Sequence, residues 1–363
     1  MSSANRPQAP LLARAVAATN EQVTIVARPI KDYARSNPTL FLRIVRAVVT
    51  DVQCEFVIKV GCDTPERRHE GLVYEGLGDD ERVVPCLFHG SFEPPFRLLF
   101  VAGKPSLPRD VALALRTKFA DEAGKLPKLH LVATLYRPSI ASVEERIRDG
   151  PPPAAGYITD AVRTVRRLFD EKRLVHFDLH HHNQLIDISS SRLYLLDMDF
   201  ATIPGLRDSA IFNILPIDIF GKLLHRLTHT KIIDQDTQRD RIGHAYDLVM
   251  LYTAYDNARR RILRAEHAGN NYCAPSADER KLYRSYQTAD ALSRKVDWKP
   301  YVRKRIGSKR LAEVSKHVRL LLTATVLVAI YTCGVPYTAV RRRLLRNMNN
   351  RQRPAACCGI GTS

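Results

Sequence analysis

The stretch VHFDLHHHNQLIDI, residues 175–188, decides the fold of this chain together with LYLLDMDFA at residues 193–201. The two stretches place Asp178, Asn183 and Asp197 at a spacing that suits a magnesium-dependent phosphoryl-transfer site. In such a site one carboxylate orients the attacking hydroxyl, and an amide oxygen five residues later holds a metal. A second carboxylate, on a neighbouring hairpin, bridges the metal to the phosphates.

Size and composition allow a globular fold of one large domain or two ordinary domains, since the chain has 363 residues and a hydrophobic content of 45%. The formal charge is +18, and much of the excess lies in KPYVRKRIGSKR and RRRLLRNMNNRQR near the C-terminus. Apart from Tyr301 these runs contain no aromatic residue on which bases could stack. They predict solvated basic faces or contact of the C-terminal tail with an anionic membrane, and no specific nucleic-acid recognition.

Cysteine usage predicts an intracellular, cytoplasmic protein. The seven cysteines are an odd number and show no CxxC or other metal-ligand spacing, so neither a disulfide framework nor a zinc site is indicated. Residues 1–20 carry Arg6 and Arg14 among Ala, Ser and Pro, which faintly resembles an organellar presequence, but they lack the apolar core of a signal peptide. We expect a disordered leader.

The hydrophobic pattern changes along the chain and predicts an α+β fold. β-Branched runs in QVTIVARPI, FLRIVRAVVT and CEFVIKV predict strands, and PERRHEGLVYEGL at 65–77 predicts a helix with Pro65 in its first turn. VVPCLFHG, FRLLFVAG and KLHLVATLY predict further strands. After the loop PPPAAG, helices are expected in GYITDAVRTVRRLFDEKR, IDIFGKLLHRL, HAYDLVMLYTAYDNARRRIL and LAEVSKHVRLLLTATVLVAIY.

The order of strands, lysine, helix glutamate, HxDxxxxN loop and LLDxD hairpin resembles the protein-kinase-like superfamily over roughly residues 20–300. The resemblance implies a two-lobed fold that holds ATP between the lobes. It assigns a small antiparallel-sheet N-lobe to residues 21–135 and a larger helical C-lobe to residues 136–317. An apolar helix and a basic tail occupy residues 318–363.

The resemblance implies a phosphate-binding ion pair. Lys59 in FVIKV matches the third-strand lysine that contacts the α- and β-phosphates of ATP. Glu70 matches the helix glutamate that holds this lysine, and Glu75 is the less suitable alternative. The alternative is an ordinary solvated Lys-Glu pair with no role in phosphate binding. A lysine that ends an apolar strand is, however, rarely placed for solvation alone.

The same resemblance assigns roles in the quoted stretch. Asp178 is the catalytic-loop aspartate, and Asn183 and Asp197 are the magnesium ligands. His176 is a buried loop histidine that supports the backbone, and Asp218 braces the loop through its amides, with a plain helix cap as the alternative. The neighbouring His180, His181 and His182 suggest a metal cluster, but the HxDxxxxN frame accounts for them without zinc.

Departures from the family pattern narrow the range of expected substrates and modes of regulation. Residues 22–60 contain no glycine, so the glycine-rich phosphate loop is missing or built differently. Phe177 replaces the arginine that reads activation-loop phosphorylation. His180 stands where protein serine/threonine kinases place a lysine, and a histidine there is similar to aminoglycoside and choline-type kinases. Asp199 stands where the DFG motif has its glycine, and this DxD pattern is similar to small-molecule and lipopolysaccharide-sugar kinases. Only about twenty residues separate Asp197 from Asp218, which leaves little room for a protein-docking platform, although Rio-type kinases share this abbreviation.

Residues 320–340 form an uncharged stretch between Arg319 and Arg341 that is long enough to span a bilayer. Gly334 and Pro336 are expected to end the helix near residue 333, which favours a buried helix over a membrane anchor. Cys357 and Cys358 would be sites for acylation if the tail lies at a membrane.

The sequence therefore predicts an ATP- and Mg²⁺-dependent phosphotransferase that acts on a hydroxyl acceptor, with a small molecule, sugar or lipid headgroup favoured. A pseudokinase that serves as a binding or scaffold module is the first alternative. An atypical protein serine/threonine kinase is the second.

Overall fold

The computed structural model describes residues 27–29, 39–49, 52–92, 109–136, 140–142, 157–187, 192–206, 217–228, 235–265, 277–331 and 334–352. Within them the chain is α+β, mostly helical with small antiparallel sheets, which confirms the predicted class. The chain divides into two compact units, Met1–Pro153 with His181–Ser209 and Ala154–His180 with Ala210–Ser363. The predicted leader, the expected strand FRLLFVAG and the tail beyond residue 352 lie outside the described residues.

The larger sheet of the first unit has five antiparallel strands in the order β1-β2-β3-β5-β4. Its strands are β1 (Ala27–Pro29), β2 (Thr39–Val49), β3 (Val52–Cys62), β4 (Cys86–Phe92) and β5 (Leu129–Tyr136). In the central strand β3, Ile58 pairs with Leu42 on one side and Ala133 on the other. Ile58 and Val60 share one face of β3 and are both buried, because successive side chains of a strand alternate between faces.

Helix α1 (Pro65–Leu77) follows β3 with the bounds expected from the sequence. The Thr64 side chain caps it by accepting the backbone N–H of Arg67 at 3.4 Å. Gly78 ends it at a φ of 62°, a conformation that glycine adopts without steric cost. Val73 and Leu77 are buried, whereas Leu72 is exposed.

A smaller sheet of the first unit has the order β6-β7-β8, formed by β6 (Ile140–Ser142), β7 (Gln184–Asp187) and β8 (Leu193–Leu195). Leu195 donates its N–H to Arg82 O and accepts the N–H of Val84, both at 3.0 Å. These bonds attach the β7–β8 pair to the chain between α1 and β4. His181–Ser209 belongs to the first unit, while the boundary expected at residues 135 and 136 stays a prediction. Helix α2 (Arg109–Phe119) was not expected from the sequence.

The second unit is helical in its described residues. Its helices are α3 (Tyr157–Lys172), α4 (Ile217–Thr228), α5 (Gln235–Ala265), α6 (Ala277–Ser293), α7 (Lys299–Tyr331) and α8 (Tyr337–Gln352). Helices α3, α4, α5 and α7 contain the predicted helical stretches, whereas α6 and α8 were not among them. Helix α7 packs against α4, α5 and α6 and runs without interruption across residues 317 and 318. The part of the chain from residue 318 to Tyr331 is therefore continuous with the helical unit.

The apolar half of α7 is a core helix. Its residues from Leu320 to Ala329 are buried on every side, the pattern of a helix enclosed by other helices. It ends at Tyr331, close to the predicted end, and Gly334 follows with a φ of 58°. Across the described ranges, no helix combines the length and the apolarity that crossing a bilayer requires.

Candidate functional site

Lys59 lies on β3 between the neighbouring strands, where it pairs with Phe41 and Val132. Only 8% of the residue is exposed. A buried ammonium group is costly unless it is paired, so its neighbours decide what it can do. Its Nζ lies 3.0 Å from Glu70 Oε2 and 2.6 Å from Asp197 Oδ1. Three predicted site residues are thus brought together in the first unit.

The lysine has a further partner that the sequence did not assign to the site. Lys59 Nζ also lies 2.6 Å from Asp199 Oδ2, and Arg67 Nη1 lies 3.3 Å from the same oxygen. Asp199 was noted only as a departure from the family pattern. It extends the ion pair into a network that joins β3, α1 and the segment after β8.

Glu70 is the helix glutamate that reaches Lys59. It lies on α1 and is 2% exposed. The alternative, Glu75, has a side chain that is 70% exposed and lies 3.8 Å from His89 Nε2. The helix spacing explains the difference, because residues five positions apart lie on different faces of a helix.

Asp197 adopts a left-handed backbone with a φ of 66°. This conformation carries a steric cost for any residue with a Cβ, although aspartate tolerates it better than most. Its backbone N–H donates to Tyr74 Oη at 3.3 Å, while its carboxylate contacts Lys59. Met198, the next residue, is fully buried and anchors the segment in the core.

Asn183 lies beside this segment at the end of the β7–β8 pair. Gln184 pairs with Leu195, and the ladder continues with Leu196, whose N–H donates to Asn183 O at 3.1 Å. Asn183 is 5% exposed. The backbone register therefore places the predicted metal-binding asparagine and Asp197 at the same end of the strand pair.

The charged side chains of the network shift one another's pKa values. Burial lowers the pKa of Lys59, but the attraction of Glu70, Asp197 and Asp199 outweighs it and raises this pKa above its usual range. Burial raises the pKa of Glu70 well above normal, against the attraction of Lys59. Burial also acts to raise the pKa of Asp199, but Lys59, a hydrogen bond with Glu70 and Arg67 lower it.

The predicted catalytic loop belongs to the second unit as far as His180. His176 is 1% exposed, and its Nδ1 accepts the backbone N–H of Asp178 at 3.3 Å. Its surroundings suit the supporting role expected of it. The Asp178 side chain is partly exposed, and its Oδ2 lies 3.5 Å from His180 Nε2. Asp178 can therefore meet a solvent-borne hydroxyl group.

Asp247 of helix α5 holds this loop. Its two carboxylate oxygens accept the backbone N–H groups of His176 and Phe177, each at 2.7 Å. Phe177 needs such support, because it has a φ of 61°, which is rare for a bulky residue. Burial raises the pKa of Asp247 to about 8, against the lowering effect of the two amides.

Asp247 therefore braces the backbone of this loop, the role that the sequence analysis assigned to Asp218 and that for Asp218 stays a prediction. The two amides already donate to Asp247, and Asp218 lies on α4, where its side chain is outside the described residues. About fifty residues separate Asp197 from Asp247, against the twenty counted to Asp218.

The carboxylates fit a divalent cation. Ligand atoms of Glu70, Asp197 and Asp199 lie within 4.8 Å of one another. Carboxylate oxygens are the ligands that Mg²⁺ prefers, and Asp199 Oδ1 is buried without a hydrogen-bond partner among the described residues. No group of possible ligands that includes the three consecutive histidines occurs within that same set of residues.

The sequence analysis missed three residues: Arg67 and Tyr74 beside the Lys59 network, and Asp247 at the loop that carries Asp178. Tyr74 looked like an ordinary core aromatic, and Arg67 like a solvated charge. Asp247 did carry a signal, because it stands inside the apolar run HAYDLVMLY of a helix, where an unpaired carboxylate would be costly.

Comparison with known proteins adds no assignment: no family model matches the chain, and no curated protein matches it.

Proposed function

We propose that this protein is an ATP- and Mg²⁺-dependent phosphotransferase of the protein-kinase-like superfamily, which moves the γ-phosphate to a hydroxyl acceptor. One observation carries the proposal: Lys59 Nζ lies between Glu70 of the following helix and Asp197 of the segment after β8. An ion pair between a third-strand lysine and a helix glutamate, next to a metal-binding aspartate, is required for catalysis in kinases.

The two-lobed kinase fold is part of the proposal. The arrangement of the first unit supports it, because a five-stranded antiparallel sheet carries Lys59 on its third strand and the helix with Glu70 follows directly. The helical second unit supports it through the loop from His176 to Asp178, which Asp247 holds by its backbone.

Lys59, Glu70 and Asp178 each have a defined task in this reaction. Lys59 contacts the α- and β-phosphates, and Glu70 fixes its flexible side chain. Asp178 orients the acceptor hydroxyl and accepts its proton as the oxygen bonds to the γ-phosphorus and the bond from that phosphorus to the bridging oxygen of ADP breaks. Positioning and charge neutralisation supply the rate.

Asn183 and Asp197 would hold magnesium, and Asp199 offers a further carboxylate beside them. When bound, the metal neutralises charge that develops on the β- and γ-phosphate oxygens. The protein contributes the fixed carboxylates and a lysine whose positive charge is stabilised by its surroundings.

A small molecule, sugar or lipid headgroup is the favoured acceptor. The preference rests on His180 and Asp199, which depart from the protein-kinase pattern in the direction of small-molecule kinases. An atypical protein serine/threonine kinase is the alternative among enzymes.

A pseudokinase is the second candidate function, and one observation favours it. The ion pairs of Lys59 with Asp197 and Asp199 are 2.6 Å long, shorter than its ion pair with Glu70, so the lysine contacts both carboxylates that are proposed to face the metal. Together with the absence of glycine from residues 22–60, this arrangement suits a protein that binds partners without transferring phosphate.

Phosphate transfer from radiolabelled ATP to a panel of sugars, amino alcohols, lipid headgroups and a generic protein substrate tests the proposal. The wild type should transfer phosphate only with Mg²⁺, and Asp178→Asn should abolish transfer while ATP binding remains. Asp170→Asn, an exposed change at the end of α3, serves as the control. ATP binding without transfer to any acceptor favours the pseudokinase, and equal turnover by wild type and Asp178→Asn contradicts the assigned role of Asp178.

A further inference from the structure

The backbone of Asp197 needs a restraint that its own sequence does not supply. Its φ of 66° lies in the left-handed region, where a residue with a Cβ remains only when its surroundings fix it. The carboxylate direction follows from this backbone conformation, because φ sets where the side chain leaves the chain. Whatever holds the N–H of Asp197 therefore also aims its carboxylate.

That N–H donates to the hydroxyl oxygen of Tyr74, at 3.3 Å. Tyr74 lies on α1, four residues after Glu70, so the two side chains share one face of the helix. It is 4% exposed, and a phenol hydroxyl buried to this degree usually has a hydrogen-bond partner. Burial raises its pKa well above the ordinary value, which keeps the hydroxyl neutral.

Helix α1 cannot easily move away from the segment that contains Asp197. His69 Nε2 donates to Ala201 O at 2.7 Å, and a Cβ at Gly76 would lie 2.2 Å from Ile203 Cδ1. The helix and the segment are thus in direct contact before and after Tyr74. Helix α1 is thus held in place on both sides of Tyr74, and this fixes the Tyr74 hydroxyl beside the Asp197 amide.

We infer that Tyr74 is a positioning residue for the proposed metal site: its hydroxyl holds the left-handed backbone of Asp197 and thereby aims the carboxylate at Lys59 and the metal. Helix α1 thus supplies both the glutamate that fixes Lys59 and the hydroxyl that fixes Asp197. The metal-binding part of this inference rests on the proposed function, whereas the restraint on the backbone does not.

The substitution Tyr74→Phe removes only the hydroxyl. The matched control is Tyr286→Phe, which removes a hydroxyl bonded to Thr253 Oγ1 at 3.2 Å in the second unit. Mn²⁺ affinity in the presence of ATP is measured by electron paramagnetic resonance on the folded fraction of each protein. We expect Tyr74→Phe to weaken metal binding by about fivefold, the equivalent of one ordinary hydrogen bond, and Tyr286→Phe to leave it unchanged.

Amide hydrogen exchange separates this inference from the proposed function. In Tyr74→Phe the Asp197 amide should exchange faster than in the wild type, while the amide of Leu195, bonded to Arg82 O, keeps its rate. Unchanged exchange at Asp197 overturns the inference, even if the protein binds metal. Faster exchange in a protein that binds no metal sustains the restraint and contradicts the proposed function instead.

A third measurement covers the case in which Tyr74→Phe does not fold. The wild-type amide of Asp197 should be protected to a degree comparable with Leu195, because both are hydrogen-bonded within the first unit. Exchange of the Asp197 amide at the rate of an unstructured peptide overturns the inference without any variant.

Discussion

Lys59 Nζ lies 2.6 Å from Oδ2 of Asp199, the residue at which the kinase resemblance expects a glycine. The lysine therefore offsets the charges of three carboxylates, those of Glu70, Asp197 and Asp199. A glycine in place of Asp199 would contribute no charge to this ion-pair network. The extra aspartate makes the network depend on one buried cation.

The first prediction follows from that dependence. Lys59→Met leaves the carboxylates without their shared cation, and we expect the free energy of unfolding at pH 7 to fall by about 3–5 kcal/mol in urea titrations. Adding Glu70→Gln to Lys59→Met should recover part of the loss, since it removes the most deeply buried negative charge. Lys295→Met, an exposed change, is the control. Equal stability of the single and double variants contradicts the charge balance described above.

The second prediction concerns the loop that carries Asp178. Asp247→Ala leaves the N–H groups of His176 and Phe177 without their acceptor, and each unsatisfied buried amide costs about 1–3 kcal/mol. We expect a loss of stability of that order and the loss of any turnover. Asp218→Ala should leave the loop intact. If Asp218→Ala is the more damaging of the two by urea unfolding, the bracing role has been assigned to the wrong residue.

The third prediction concerns Gly243 on α5. A Cβ there would lie 2.7 Å from Val175 Cγ1 and 2.8 Å from Phe177 Cζ, both in the packed core. Gly243→Ala should therefore lower the free energy of unfolding by about 1–3 kcal/mol. Gly221→Ala, on α4, meets only the tip of Gln238 at 3.1 Å and should be neutral or stabilising by up to about 1 kcal/mol. A thermal melt that shows no loss for Gly243→Ala excludes this close packing.

The sequence predicted local features well where local chemistry decides them. The bounds of α1 follow from Thr64, Pro65 and Gly78, each of which acts within a residue or two of the helix end. Lys59 and Glu70 were paired correctly because a strand and the next helix constrain their side chains over a short distance in the chain.

Features that depend on distant contacts were not predicted. Asp247 lies 71 residues from His176, and its place in an apolar helix indicates that it is paired but does not identify the loop as its partner. The contact between Tyr74 and Asp197 spans 123 residues, and an aromatic residue on a buried helix face usually indicates only core packing. The role of Asp199 could be identified only from the structure, which places it in contact with Lys59.

The fourth prediction is a pH dependence. Burial, together with the charge of Arg166, lowers the pKa of His244 from 6.5 to about 4. An unfolded histidine binds a proton at higher pH than this one, so its contribution to stability is present above pH 6.5 and is lost as the pH falls toward 4. The loss should be about 3 kcal/mol.

His244→Phe is the test of that prediction, because the ring stacks on Phe169 with centroids 4.3 Å apart and a phenyl ring can keep this contact. Urea unfolding from pH 7 to pH 4 should show a smaller decline in the variant than in the wild type. His130, in the first unit, also has a pKa lowered to about 4 by burial, so some decline should remain. An identical pH profile for variant and wild type shows that His244 does not cause the dependence.

The central claim is that Lys59 and Asp197 form a site for magnesium and ATP, and equilibrium binding measures it most directly. Isothermal titration with ATP should detect binding to the wild type in the presence of Mg²⁺, and binding should weaken greatly when EDTA removes the metal. Lys59→Met and Asp197→Ala should each lose most of the Mg²⁺-dependent affinity, while Asp170→Asn keeps it. Wild-type protein that binds no ATP, or binding that neither substitution at the site reduces, contradicts the claim.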